Sequence, residues 1–375
     1  MKVIVERSDL LKAMSRAQSI VERRTTIPIL SNVLIEAIDG KISLRTTDLD
    51  IEIVERVSAS VEQDGHTTVG AHTLHDIVRK LPDGASIQLI ADQVSSRLEV
   101  KAGRSRFSLA TLPREDFPIM ANSEYDSNFT IAPKVLNRLF EKSKFAMSTE
   151  ETRYYLNGVY FHVASNAQGR VLRAVATDGH RLAQYDIPLP QGAKDMNGII
   201  IPKKMIQELR RVLDDATGDI NIQLNENKIK FSFNNMQIIS KVIDGTFPDY
   251  TKVIPQSNDK SITTNNEELK KAIDRVSAVA INEETKSKAI KLIIESNKIS
   301  LSVDSSSRGS AIEEIDLDYN NEKVEIGFNS RYLIDICNEI DGDKINLKFL
   351  NSTSPAIILD NTDENLFFVL MPMRI

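Results

Sequence analysis

KISLRTTDLDIEIVERV, residues 41–57, alternates apolar and polar side chains on either side of an aspartate-bearing turn. That pattern reads as two antiparallel strands with one face buried. RVLRAVATDGHRLAQYDI at 170–187 and KISLSVDSSSRGSAIEEI at 298–315 read the same way. Asp48, Asp178 and Asp304 fall at equivalent places, 130 and 126 residues apart. The period is the size of a domain.

The neighbouring segments repeat with it. An amphipathic helix precedes each strand pair, in SDLLKAMSRAQSIV, PKVLNRLFEKSKFAM and NEELKKAIDRVSAVA, each opening near a residue suited to a helix start. A second helix follows, in AHTLHDIVRKLPDG, IPKKMIQELRRVLDDATG and NSRYLIDICNEIDGD, ending at Asp and Gly residues that favour a turn. A strand with a proline-bearing exit closes each unit, in RFSLATLPREDFP, IISKVIDGTFPDY and LFFVLMPMRI, with Pro118, Pro248 and Pro372 130 and 124 residues apart. Four landmarks in one order, three times over, predict three α+β domains, each with two helices packed on antiparallel sheet. Polar, turn-forming stretches at 121–128 and 255–260 place the domains at 1–122, 128–254 and 260–375.

A chain of 375 residues with 41% hydrophobic and 27% charged residues suits two or three packed domains. No apolar run approaches the length needed to span a bilayer, and MKVIVERSDLL is charged where a signal peptide is apolar, so no membrane association and a cytoplasmic location are expected. The single cysteine, Cys337, lies in the apolar run YLIDICNEI and is expected in a core. No disulfide or cysteine metal site follows from it.

The net charge of −6 excludes a uniformly basic nucleic-acid binder. Positive charge is instead concentrated on helices: Lys134, Arg138, Lys142 and Lys144 on one, Lys203, Lys204, Arg210 and Arg211 on another, with Lys12, Arg16, Arg23, Arg24, Lys270, Lys271 and Arg275 elsewhere. On any one helix this is an ordinary solvated face. Repeated on three similar units it predicts a basic surface that attracts phosphate without reading bases, with the acidic residues on the strands behind.

Catalysis finds little support. There is no HExxH, GxSxG or GxxxxGK[ST] motif. Asp178 and His180 in ATDGHRL are the best candidates for a hydrolase or metalloenzyme, and His72 with His75 is an isolated metal hint lacking a carboxylate cluster. The expectation is a non-catalytic protein with no cofactor and no metal. A repeat scaffold that binds peptides and never DNA is the other alternative, and the basic helices argue against it.

IPILSNVL at 27–34, GRSRFSLATLPREDFP at 103–118, RYYLNGV at 153–159, ATDGHRLA at 176–183, DGTFPDY at 244–250, IGFNSRYL at 326–333 and the terminal MPMRI resemble the beta sliding clamp of bacterial DNA polymerase III over the whole chain. The resemblance implies three clamp-fold domains, two chains head to tail in a closed ring, helices lining the hole and sheets outside. It implies a homodimeric processivity factor on duplex DNA of any sequence. Its partners would be the polymerase III catalytic subunit, an ATP-driven clamp loader, other DNA polymerases, ligase and mismatch-repair proteins.

Carried over by residue, it implies a partner-peptide cleft of Leu156, Thr177, Gly179, His180, Arg181, Leu182, Pro248, Lys252 and Val253 on one side, and Pro355, Val369, Leu370, Met371, Pro372, Met373 and Arg374 on the other. Burial alone favours a core role for Val369 and Leu370, while the Met-Pro-Met tip suits an adaptable docking surface. Lys252 stands where the family has arginine, and Ile375 where it has leucine. Arg24, Arg153, Tyr154, Tyr155, Lys203 and Lys204 would meet DNA. Phe107 and Leu109 on an edge strand would close the ring against the helix around Ala278 and Val279. The third repeat matches least, with VDSSSRGSAIEE where the family is more acidic.

Overall fold

The computed structural model describes residues 1–23, 25–92, 95–121, 123–193, 196–279, 289–305 and 309–374. The helices and strand pairs expected from the repeat are present. Six α-helices occur among these residues: α1 (Arg7–Ile20), α2 (Ala71–Lys80), α3 (Pro133–Lys144), α4 (Lys203–Leu213), α5 (Asn266–Ser277) and α6 (Ser330–Cys337). Leu10, Ala13, Met14, Ala17 and Ile20 give α1 a buried stripe at three- and four-residue spacing. Asn265 accepts from the Glu268 amide and Asn329 from the Arg331 amide, satisfying donors that the first turns of α5 and α6 leave open.

The fold forms two compact units: Met1–Asn137 with Pro190–Asn197 and Lys204–Val242, and Arg138–Leu189 with Gly198–Lys203 and Ile243–Ile375. The middle repeat is divided between them because its two outer strands each continue a neighbour's sheet. In the first unit, strand Met236–Lys241 pairs antiparallel with Ile51–Ser58, Ser240 opposite Ile51, within a sheet of 13 strands. In the second unit, Asp363–Leu370 pairs with Arg181–Pro188, Leu370 opposite Arg181, within a sheet of eight. A separate four-stranded sheet runs Gly309–Asp316, Lys298–Ser305, Ala289–Glu295, Val324–Asn329.

The two junction pairings correspond residue for residue at an offset of 130, since 51 and 240 become 181 and 370. Asp304 does not extend the series. It lies inside strand Lys298–Ser305, opposite Ser310, where its counterparts lie in turns. Cys337 is in the core as expected, and burial pushes its thiol up to about 12.

Candidate functional site

The strongest local constraint is a turn built twice. Thr177 Oγ1 donates to the Arg181 carbonyl and accepts from the Gly179 amide, while Asp178 Oδ1 accepts from the amides of His180 and Arg181. Thr47 and Asp48 make the same four bonds with Ile51, Leu49 and Asp50. The third position is left-handed in both, Gly179 at φ +88° and Leu49 at +80°, a conformation glycine adopts without strain and leucine does not. The His180 carbonyl accepts from the Met371 amide at 2.9 Å, as the Asp50 carbonyl does from Lys241.

At the second copy of this turn the predicted cleft residues come together within one unit. Leu156, Leu182 and Val369 are buried in one cluster with Val175, Ile200, Phe247 and Tyr250. Each such aliphatic side chain in this floor contributes about 1.5–3 kcal/mol by leaving water. Leu370 is fully buried beside Val369 in sequence, the core role that burial statistics favour for both. The chain then surfaces: Met371 is 37% exposed and Val253 44%. Pro372, Met373 and Pro355 are half-buried, and Gly179, His180, Pro248, Lys252 and Arg374 are exposed. Met373 donates to the Gly327 carbonyl at 2.7 Å, pinning the tip. Lys252, in the short turn Tyr250–Val253, reaches Asp249 at 3.2 Å and otherwise projects into solvent.

Tyr332 belongs with this group, although sequence reasoning missed it. His180 stacks on its ring, centroids 6.1 Å apart, and the Arg181 guanidinium lies 4.4 Å above it. Arg181 also pairs with Asp178 and Asp335 and donates to the Phe145 carbonyl, so it is a fixed wall rather than a mobile hand. The only available signal was IGFNSRYL, which carries Tyr332.

Beneath the floor is a polar network that the sequence did not reveal. Arg173 makes a two-pronged pair with Asp186, both bonds 2.7 Å, and donates to the Tyr250 hydroxyl at 3.1 Å. That hydroxyl lies 3.1 Å from His162 Nε2, so a neutral imidazole accepts its proton. Burial, then the Arg173 charge, lowers the His162 pKa to about 4.

The residues carried over for DNA divide. Arg24 lies outside the described residues. Arg153 pairs with Glu150 and donates to the Asp178 carbonyl, which puts it at the cleft rim. Tyr155 packs on the floor cluster, while Tyr154 is 54% exposed. Lys203 is half-buried, and Lys204 Nζ is held by Asp48.

The helix cations also differ from the expectation that acids stay on the strands behind. Arg16 pairs with Glu55 and Asp215, Arg211 with Glu208, Arg138 with Asp341 and Asp363, and Lys142, itself buried, with Asp341. Their long stems bring the charges to carboxylates on strands, loops and neighbouring turns. Several of the helix cations expected to attract phosphate are therefore held by carboxylates instead.

Among the described strands with an unpaired edge, two bear on the expected ring closure. Ser105–Leu112 pairs with Arg97–Ala102 over residues 105–110 and meets Gly65–Gly70 only at Thr111 and Leu112. Phe107 and Leu109 sit on this edge with their side chains packed on the first repeat's own core. Gly309–Asp316 is the outer strand of its sheet, with Ile312 68% exposed. The alternation in AIEEIDLD was its sequence signal. Ala278 is exposed and Val279 half-buried just past α5.

No described group of three His, Cys, Asp or Glu side chains could hold a metal ion. His72 Nε2 donates to the Val21 carbonyl, and His75 Nε2 lies 3.3 Å from Ser15 Oγ, so both histidines join α2 to α1 and its end. Asp178 is consumed by its turn and by Arg181. No described helix is long and apolar enough to cross a membrane.

Comparison with known proteins gives this geometry its context. Residues 1–121, 130–249 and 251–374 match the N-terminal, central and C-terminal domains of the DNA polymerase III beta subunit. The beta sliding clamp of Caulobacter vibrioides is 45% identical over 375 residues, and that of Escherichia coli K12 is 36% identical over 376, each covering 100% of both chains. The solved Caulobacter crescentus pol III beta superposes with a TM-score of 0.95 at 45% identity. The Bartonella birtlesii sliding clamp bound to griselimycin superposes with a TM-score of 0.95 at 43% identity, and both structures cover 100% of each chain. Three domain matches end to end, with relatives alike over their full length, place the chain in the DNA polymerase III beta subunit family, the beta sliding clamps.

Proposed function

We propose that two copies close head to tail around duplex DNA, edge Ser105–Ala110 of one meeting edge Gly309–Asp316 of the other with Phe107 and Leu109 against the helix end at Ala278 and Val279, and that the ring tethers partner proteins through the cleft. The observation that carries the tethering is the pinned Met371–Met373 tip beside the Thr177–Arg181 turn, over an apolar floor. Short hydrophobic peptide segments fit such a surface, because methionine repacks around different side chains. Griselimycin, carried by the Bartonella relative, is expected in the same cleft.

Complementary charge supports the closure. Arg97, Arg104 and Arg106 flank the first edge, and Asp316 lies on the second beside Glu313 and Glu314, which Arg275 and Lys298 already hold. Pairing the edges would satisfy backbone groups otherwise left to water and block open-ended association. Domain limits of 1–122, 128–254 and 260–375 fit this scheme. Tyr154, Arg24, Lys203 and Lys204 supply phosphate contacts in this reading, and Arg153 and Tyr155 serve the cleft wall instead. Weak phosphate contacts let the ring slide while closure prevents escape, and a bound polymerase gains a high local concentration at its template.

The partners in this reading are the polymerase III catalytic subunit, other polymerases, ligase, mismatch-repair proteins and a separate loader, since the chain carries no nucleotide-cradling motif. The location is cytoplasmic. The test pairs two variants. Lys203→Ala with Lys204→Ala should weaken salt-sensitive, loader-independent contact with duplex DNA and spare griselimycin binding, and deletion of residues 371–375 should do the reverse. Equal loss of both activities in either variant would refute the division.

A further inference from the structure

The two sheet junctions share one frame, so their differences show what the cleft needs beyond that frame. At the offset of 130, Arg173, Asp186 and Tyr250 have Ser43, Arg56 and Met120 as counterparts. His162 stands opposite Arg173 across its strand pair, and Glu36 stands opposite Ser43. None of the polar network therefore recurs where the junction pairing alone is required. At the first junction Glu52 occupies the place of Leu182, fully buried, held by Arg45 and by the Met120 amide at 3.0 Å. There the linker is fastened to the floor by its backbone. At the second, a side-chain hydroxyl fastens it.

We propose that Arg173, Asp186 and Tyr250 are positioning residues for the cleft: the buried pair fixes the Tyr250 hydroxyl and so sets the turn that presents Lys252 and Val253 to a bound peptide. Tyr250 is the first residue of that turn. Its ring sits edge-on to Phe247, centroids 6.4 Å apart, and Phe247 stacks on Tyr160 at 4.9 Å. The aromatic contacts fix where the ring lies, and the bonds from Arg173 and to His162 fix its rotation and depth. Asp186 holds the guanidinium by two parallel bonds, a geometry that lysine cannot reproduce. A buried ion pair adds little net stability compared with apolar packing. The first junction has a different buried pair, Arg45 with Glu52, which holds a backbone amide, so the Arg173–Asp186 pair belongs to the junction that carries the cleft and geometry is its role.

This rests on the reading of the cleft as the partner site, and the experiment separates the two. Griselimycin affinity is measured on the full-length protein for the wild type, Tyr250→Phe, Arg173→Lys, Val253→Ala and the double variant Tyr250→Phe/Val253→Ala. Tyr250→Phe keeps the ring and removes both hydroxyl bonds, the charged one from Arg173 and the neutral one to His162. It should weaken binding about tenfold, and Arg173→Lys, a second change to the same network, should give a similar loss. In the Val253→Ala background the same change should cost less than about twofold, because the wall it positions is already gone. A purely structural role would give equal losses in both backgrounds. Wild-type binding with Tyr250→Phe and Arg173→Lys within about twofold of it, or additive losses, would overturn the proposal. No binding by the wild type would overturn the cleft reading and this proposal with it.

Discussion

His162 is a neutral histidine held between Arg173 and Tyr250, with Asp186 beyond them and the Tyr160 ring stacked 4.1 Å away. In the unfolded chain it titrates near 6.5, while in the fold its pKa is about 4. As pH falls below 6.5 the unfolded state takes up a proton that the fold refuses, so stability declines until about pH 4. Between pH 7 and 5 the expected loss is about 2 kcal/mol. Urea unfolding at the two pH values should show His162→Gln losing that much less than the wild type; identical losses would mean that His162 does not set this slope. ATDGHRLA disclosed the neighbouring turn because its bonds are local. The Arg173, Asp186, His162 and Tyr250 network was illegible because Tyr250 lies 88 residues from His162, and nothing in either segment names the other.

At the scale of elements, the repeat made the six described helices and the strand pairs at 41–57, 170–187 and 298–315 readable, since amphipathic periods of 3.6 and 2 are local properties of the chain. Charge was read less well. The cations of α3 count as solvated in sequence, yet Lys142 is buried and bonded to the Glu339 carbonyl as well as to Asp341. Lys142→Met should therefore cost about 2 kcal/mol of stability, measured by denaturant unfolding. Lys203→Ala should stay within about 0.5 kcal/mol of the wild type and alter only DNA contact. Equal effects would mean that helix cations cannot be sorted by their partners. Ile312 gives a second contrast, since it is the most exposed of the large hydrophobics on an open edge. Ile312→Asp should leave unfolding unchanged but shift sedimentation from dimer to monomer at micromolar concentration. A dimer of unaltered strength would remove Gly309–Asp316 from the closing interface.

For the whole molecule, the sequence showed three repeats, while the fold gathers into two compact units because each outer strand of the middle repeat extends another repeat's sheet. Periodicity cannot reveal such sharing, which depends on which edges meet. The same sharing, continued between two chains, is the closure proposed for the ring. Closure makes retention a matter of topology and not of affinity, so salt that releases phosphate contacts should leave the ring in place. The direct test loads the protein with its loader onto nicked circular duplex DNA, raises the salt, and measures retention before and after a single cut linearises the circle. Retention on the circle, and release within the time of sliding off the new ends, are expected. Equal retention on circle and linear DNA would show ordinary binding and contradict it.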